Sequence, residues 1–188
     1  KILRSDTTID DIYVYGVQLE ESFFLTSYIP TYSVSATRAS ETIVYNELQS
    51  KGIISSTQGT IFFDVKEKFG TAVQWNIQNQ TGLDYALRIQ FIEEGFKVFE
   101  KIPAGQTIVR SVTGLTVSRY KIAMSWNGTS LITSFNGTSY INTIDASIAS
   151  QLNRIQRPNV GNVSIPTNQI LVFPTQLTES ELNTLTTI

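Results

Sequence analysis

The chain has 188 residues, which suits one large all-β domain or one domain plus a fragment. Its 14 basic and 16 acidic residues are scattered, so no basic stripe for a phosphate backbone is present. Histidine and cysteine are absent, which removes the usual general base, the commonest transition-metal ligand and every disulfide. We therefore expect no nucleic-acid partner, no metal site and no cofactor, and the lack of a long apolar run predicts no membrane insertion.

The N-terminal segment differs from the rest. Residues 1–22 contain a predicted strand with Ile12 and Val14 on one side, which is broken at Gly16. Residues 23–39 include Pro30 and many small polar side chains, which predicts an extended linker before a main domain over 40–188. Because the chain opens on Lys1 in what reads as mid-domain sequence, we expect a fragment or a processed product.

Alternating apolar residues predict strands in "TAVQWNI", "YALRIQF" and "YKIAMSW". Such alternation is typical of antiparallel sheets with one face in a core and the other in water. The outward positions would then include Ala86, Arg88, Gln90, Ala123 and Ser125. The residues predicted to face the core are Val73, Trp75, Ile77, Tyr85, Leu87, Ile89, Phe91, Tyr120, Ile122, Met124 and Trp126.

Turn signals separate these strands at intervals typical of a sandwich. They include "EEG" at 93–95, "PAGQ" at 103–106 and the two Asn-Gly pairs in "WNGTSLITSFNGT". Both pairs are formal glycosylation sequons, but Asn-Gly also tolerates the positive φ of tight hairpins. We interpret the repeated motif as strand, turn, strand, turn.

The chain closes on a predicted helix. In "LTESEL" Thr178 is the expected N-cap and Glu181 completes a capping box, with Leu177 and Leu182 in the staple positions. Leu182 and Leu185 should lay this helix against a sandwich. The sequence thus predicts an all-β antiparallel sandwich with one short C-terminal helix.

Several phrases resemble bacteriophage tail and tail-fibre proteins. "YGVQLEESFFLTSYIPT" with "ATRAS" is similar to the junction between a carbohydrate-binding-module-like sandwich and a concanavalin A-like lectin/glucanase, or laminin-G-like, domain. Residues 1–22 would then be the last strand of the preceding sandwich or an N-terminal extension. "GTIFFDV", "YKIAMSWNGTSLITSFNGT" and "NQILVFPTQLTESELNTLT" resemble strands and the closing helix of that domain. The resemblance implies a jelly-roll domain on a virion, extracellular when it acts, that adheres to host surface glycans and assembles as a homotrimer.

The catalytic pattern of the fold's glucanases is missing. They carry alternating carboxylates on one strand, whereas Glu93 and Glu94 are adjacent at a turn and would point to opposite sides if extended. The calcium-dependent relatives need a cluster of Asp and Asn, but Asp64, Asp84 and Asp145 are dispersed. We expect no catalytic residues and no enzyme activity.

Sugar binding is the preferred hypothesis, because an aromatic face covers the apolar face of a pyranose while amides and Arg take its hydroxyls. Core packing is the competing interpretation for the two tryptophans, and Tyr140 is a further stacking candidate. The polar loop over 78–84 could line a pocket or be a plain hairpin connection. The candidate glycan-binding residues are Gln74, Trp75, Asn76, Asp84, Tyr85, Arg88, Tyr120 and Trp126.

Two other functions stay open. A spacer or trimerisation domain would hold a fibre together without its own ligand. A glycan depolymerase would need Glu93 and Glu94 as its carboxyl pair and is the least favoured.

Overall fold

The computed structural model describes residues 44–66, 74–79, 85–92, 94–115, 119–157 and 167–188. All of them belong to one unit that runs from Glu41 to Ile188. The strand predicted within 1–22 and the linker predicted over 23–39 lie outside the described residues and stay predictions.

The described residues form two antiparallel sheets and one α-helix, which confirms the predicted fold class. The six-stranded sheet has the order β1-β10-β3-β4-β5-β6 and the five-stranded sheet the order β11-β2-β7-β8-β9. The strands are β1 (Val44–Tyr45), β2 (Gln58–Lys66), β3 (Gln74–Gln78), β4 (Tyr85–Ile92), β5 (Gly95–Ile102), β6 (Gly105–Val112), β7 (Arg119–Asn127), β8 (Ser130–Phe135), β9 (Thr138–Thr143), β10 (Arg154–Gln156) and β11 (Thr167–Phe173). The helix is α1 (Glu179–Thr186), and a turn of 3₁₀ helix covers Ala149–Gln151.

The core lies between the sheets and is filled from both. Phe63 of β2 stacks on Trp75 of β3 with ring centroids 5.1 Å apart, so the two sheets meet through aromatic rings. Tyr120 of β7 makes an edge contact at 5.6 Å with Phe91 of β4. Burying each such side chain contributes roughly 1.5–3 kcal/mol to folding, so this core is a main source of the domain's stability.

One strand departs from the predicted alternation. Ala86 was expected to point away from the core, but it is 1% exposed and belongs to the buried cluster. The reason is a bulge: Ile77 pairs with Leu87 whereas Gln78 pairs with Tyr85, so Ala86 has no partner in the ladder. An extra residue changes the face on which the following side chains lie.

The repeated Asn-Gly motif forms two hairpins, as predicted. In the second, Asn136 (φ 43°) and Gly137 (φ 84°) are the two loop residues, and both are left-handed, as a tight hairpin turn requires. In the first, Asn127 still pairs with Ser130, so the loop consists of Gly128 and Thr129 and only Gly128 (φ 55°) is left-handed. The same Asn-Gly-Thr sequence therefore forms two turns whose loop residues are offset by one position.

The C-terminal helix begins as predicted. Thr178 caps it, with its hydroxyl accepting from Glu181 N and the Glu181 carboxylate accepting from Thr178 N at 2.8 Å. Leu182 is fully buried against Phe62 and Ala123, with Leu177 and Leu185 beside them.

The helix corrects the expectation that Ala123 and Ser125 face water. Both are fully buried, because they lie on the outer face of the five-stranded sheet, over which the helix and the segment before it pack. Ser125 and Thr60 pair through their hydroxyls at 2.9 Å, and both accept from Leu177 N. The inner face of each sheet lies in the core, and the helix covers part of the outer face of the five-stranded sheet.

Candidate functional site

The outer face of the six-stranded sheet carries the polar side chains that the sequence proposed for recognition. Asn76 in β3 alternates with the core residues Trp75 and Ile77, and Arg88 in β4 alternates with Leu87 and Ile89. Since partners in a ladder share a face, the pairing of Asn76 with Arg88 places both on the outside. The structure thus brings two of the predicted site residues together.

A transverse row of side chains crosses this face through ladder partners. Gln156 pairs with Asn76, Asn76 with Arg88, Arg88 with Phe99, and Phe99 with Ile108. Five strands at about 4.8 Å spacing make this row about 19 Å long. A second row runs beside it, in which Gln74, Gln90, Lys97 and Ser111 are partners in order.

Arg88 is held in place at the centre of the face. Its guanidinium lies over the Phe99 ring, 4.4 Å from the ring centroid. It also donates a hydrogen bond of 3.3 Å to Oε1 of Gln106. A cation over an aromatic ring gains about 0.5–2 kcal/mol, and it loses part of its rotational freedom before any ligand arrives.

The amides next to Arg88 are unusually buried for an outer face. Asn76 is 7% exposed, and its Oδ1 is buried without a hydrogen-bond partner among the described residues. Gln78 donates to Oε1 of Gln156 at 3.0 Å, which joins β3 to β10 through side chains. A buried acceptor without a donor costs about 1–3 kcal/mol, so a donor supplied to Asn76 would be stabilising.

The aromatic candidates do not form a stacking surface. Trp75 and Trp126 are 0% exposed and Tyr120 is 1% exposed, all within the core, so the core-packing interpretation is the one the structure supports. Burial also raises the pKa of Tyr120. The in-phase aliphatic neighbours are the physical reason, because the side chains at alternate positions share one face of a strand.

Two further candidates stay untested. Asp84 and most of the loop over 78–84 lie outside the described residues, and so does the side chain of Tyr85. Tyr140, in contrast, is half-buried on β9, and the Arg110 guanidinium lies 4.8 Å from its ring centroid.

Three carboxylates in the described residues have a pKa that a structural partner lowers. Asp64 forms an ion pair with Arg119, and this pair holds the pKa of Asp64 below its usual value. The Ser147 hydroxyl and backbone N–H lower the pKa of Asp145, and Thr178 lowers that of Glu181. Glu94 is exposed in the turn after β4, and Glu93 lies outside the described residues.

The described part of the chain shows neither a cluster of metal ligands nor a membrane-spanning helix. It holds no group of three or more His, Cys, Asp or Glu that could bind a metal ion. None of its helices is long and apolar enough to cross a bilayer.

Sequence reasoning missed several residues of this face. Phe99 was not a candidate, yet it supports Arg88, and Arg154 lies outward beside the core residue Ile155. A signal was available in "GFKVFEKI", where Lys97 and Phe99 alternate with the core residues Phe96 and Val98. The partners of Phe99 depend on strand order, which the pattern of one strand does not contain.

No model of a known protein family matches the chain, and no curated protein matches it in sequence. Solved structures, in contrast, match the chain in fold. Botulinum neurotoxin type C, whose cell entry depends on interaction with two ganglioside molecules, matches with a TM-score of 0.56 at 9% identity, over 77% of this chain and 39% of the toxin chain. Sheep galectin-11 in complex with glycerol matches with a TM-score of 0.50 at 6% identity, over 73% of this chain and 100% of the galectin.

An enzyme structure also matches. A mutant of Trypanosoma rangeli sialidase that displays trans-sialidase activity has a TM-score of 0.51 at 10% identity, over 68% of this chain and 22% of the sialidase. The chain thus spans well under two thirds of the toxin and sialidase chains that it matches. At these identities the likeness concerns the fold, and the chain has the fold of the lectin-like β-sandwiches.

Proposed function

We propose that this domain is a carbohydrate-binding adhesion module, and that its ligand lies on the outer face of the six-stranded sheet. The observation that carries the proposal is the row through Asn76, Arg88 and Phe99. It combines a fixed guanidinium with a buried acceptor that has no donor among the described residues. Sugar hydroxyls both donate and accept, so one saccharide can satisfy both groups.

We choose the outer face of the six-stranded sheet because the helix covers part of the outer face of the other sheet. Phe62, Ala123 and Leu182 close part of the outer face of the five-stranded sheet, whereas Arg88 and Gln90 on the other sheet are only half-buried. The fold neighbours support the same class of function, since one is a toxin whose entry depends on gangliosides and another is a galectin.

A glycan array probed with the whole chain tests this proposal. We expect binding to a defined set of glycans, and a loss of affinity of about tenfold or more for Asn76→Ala and for Arg88→Ala, because each removes a ligand hydrogen bond in a desolvated site. Thr184→Ala, at an exposed position of α1, is the matched control and should bind as the unmodified chain does. A folded chain that binds no glycan, or variants that bind unchanged, would sink the proposal.

The biological setting that we propose is a bacteriophage tail fibre or surface spike, in which the domain adheres to host glycans without catalysis. The support is the sequence resemblance around 15–40 and the absence of the alternating carboxylate strand. Reading the parent open reading frame tests the virion setting, since fibre repeats or a tail-attachment domain should flank the segment. Release of reducing ends from a bound polysaccharide would contradict the non-catalytic proposal.

Assembly as a homotrimer is also proposed, with a purely structural role as the alternative. Strand β9 is an edge among the described strands and exposes Ile141 at 65%, and a sheet edge with an apolar side chain is a natural contact between copies. Light scattering of the intact chain should give three times the monomer mass. A strict monomer would overturn the trimer.

A further inference from the structure

Positive charge is concentrated on the outer face of the six-stranded sheet. Arg88, Lys97, Lys101 and Arg154 all lie outward, because each alternates along its strand with residues on the core side. The outward positions of the described strands of this sheet carry no carboxylate. Glu100 is no exception, since it pairs with the core residue Leu87 on the inner side, where its carboxylate accepts from Asp145 N at 2.9 Å.

Composition alone does not produce this segregation. The chain has a net charge of −2, so a random distribution would place acids on this face as well. The four cations come from three different strands, and strand order brings them together. Arg154 and Arg88 are separated by β3 and by an offset of two residues along the strands, which puts their backbones about 12 Å apart.

Amides fill the positions between the cations. Gln90 is the ladder partner of Lys97, and Gln156 adjoins Arg154 on the face of β10. An amide offers two donors and an acceptor, which suits hydroxyl groups, whereas a guanidinium fork suits a planar carboxylate. A ligand complementary to both has many hydroxyls and a regular negative charge.

We propose that this face selects acidic saccharides, with Arg88 as the principal ligand of the anionic group and Arg154 and Lys97 flanking it. This inference rests on the proposed carbohydrate-binding function and names the class of glycan. The Phe99 ring and Gln106 fix the Arg88 guanidinium before binding, so little freedom is lost when it meets a carboxylate.

Two buried atoms at the site support a polar ligand. Asn76 Oδ1 and Arg154 Nε are buried, and neither has a hydrogen-bond partner among the described residues. One is an acceptor and the other a donor, and they lie on neighbouring strands, β3 and β10. A saccharide hydroxyl would satisfy the first and an anionic or hydroxyl oxygen the second.

The density of charge distinguishes this ligand from a nucleic acid. Four cations across six strands, interspersed with amides, are too few to follow a backbone with one charge per nucleotide. Acidic saccharides with a carboxylate on some or all sugars present the mixture of hydroxyls and charges that these side chains complement.

Titration calorimetry of the intact chain tests the proposal with a matched pair of polymers. Polygalacturonate and its fully methyl-esterified form share one backbone and differ only in the charge of the carboxyl groups. We expect the free acid to bind at least about tenfold more tightly than the ester, as a charged bidentate contact predicts. Dextran sulfate and dextran form the second pair and tell a sulfate from a carboxylate as the source of the negative charge.

Variants connect the selectivity to the face. Arg88→Gln should remove most of the preference for the acid, and Arg88→Lys should restore only part of it, because an ammonium lacks the fork. Lys121→Gln removes one positive charge from the outer face of the other sheet and should leave the preference unchanged. An Arg88→Gln chain that keeps the full preference would overturn the assignment.

The outcomes separate this inference from the proposed function. Equal binding of acid and ester would overturn the selectivity and leave carbohydrate binding intact. No binding to any polysaccharide or array glycan would overturn both. Single-stranded oligothymidylate bound as tightly as polygalacturonate through Arg88 would replace the saccharide by a phosphate backbone.

Discussion

Single residues in this protein show how burial decides the role of a polar side chain. Asp64 is 4% exposed and lies on the outer face of the five-stranded sheet, where Arg119 pairs with it and Asn168 donates to Oδ1 at 3.4 Å. An unpaired carboxylate at this depth would be costly, so the guanidinium is what makes a charge tolerable here. The ion pair fastens β2 to β7 at the end opposite the first Asn-Gly hairpin.

Asp64 should make the protein sensitive to acid. Arg119 lowers its pKa in the folded state, so the folded chain binds this proton less readily than the unfolded chain does. The stabilisation is therefore complete above the ordinary carboxylate pKa of about 4 and is lost as the pH falls through the lower folded value. Urea unfolding between pH 7 and pH 2 should show this loss.

The control for that measurement is Asp64→Asn. It should be less stable than the unmodified chain at neutral pH, because Arg119 loses its partner, and the difference should shrink in acid. A stability difference that stayed constant across the pH range would contradict the role of the ion pair.

Among the secondary-structure elements, the helix α1 shows how apolar and polar contacts together hold an element on the sheet. The helix α1 has only a narrow apolar side, yet Leu182 is fully buried, because it meets Phe62 and Ala123. Hydroxyl groups complete the contact: Ser134 donates to Asn183 Oδ1 at 3.0 Å and pairs with Thr186 at 2.8 Å. The helix is therefore held by a small apolar cluster and a buried polar rim together.

The two Asn-Gly hairpins should respond differently to the same substitution. Asn136 has φ 43°, its Oδ1 accepts from Lys121 N at 2.9 Å, and its Nδ2 donates to Arg119 O at 3.2 Å. Asn136→Ala loses both bonds and places alanine in the left-handed region, so we expect a loss of about 2–4 kcal/mol in the free energy of unfolding.

Asn127→Ala is the matched control. Asn127 is exposed and its backbone is still in the strand, so we expect a change within about 0.5 kcal/mol. Equal losses for the two variants, measured by urea unfolding, would show that the side-chain bonds of Asn136 contribute little.

At the scale of the whole molecule, one apolar cluster joins both sheets. Trp75 and Ile89 come from the six-stranded sheet, Met124 and Trp126 from the other, and all four are fully buried in that cluster. Among the described residues neither sheet has another apolar cluster large enough to keep it folded by itself, since the second cluster is limited to the contact with α1.

We therefore expect the two sheets to unfold together. Hydrogen exchange in increasing urea, followed on peptides from β3 and from β7, should show both losing protection at the same concentration. Protection that persisted in one sheet after the other had exchanged would show two separate folding units.

The sequence by itself determined the fold class, the principal strands, the hairpins and the helix cap. These depend on local physics: period-two alternation, the positive φ that Asn and Gly accept, and a Thr and a Glu three residues apart. It also placed Asn76 and Arg88 outside the core correctly, because their apolar neighbours alternate with them.

Only the tertiary structure decided which surfaces remain for a ligand. A bulge turned Ala86 inward, and the helix covered Ala123 and Ser125. The apolar pattern of a single strand predicts neither the bulge nor the position of the helix. The sequence left Trp75 and Trp126 compatible with either sugar stacking or core packing. Both lie in the core, where the two sheets bury them. Strand order then placed Phe99 under Arg88 and placed Arg154 two strands away from Arg88. Neighbours in a sheet are determined by strand order and register, and not by distance along the sequence.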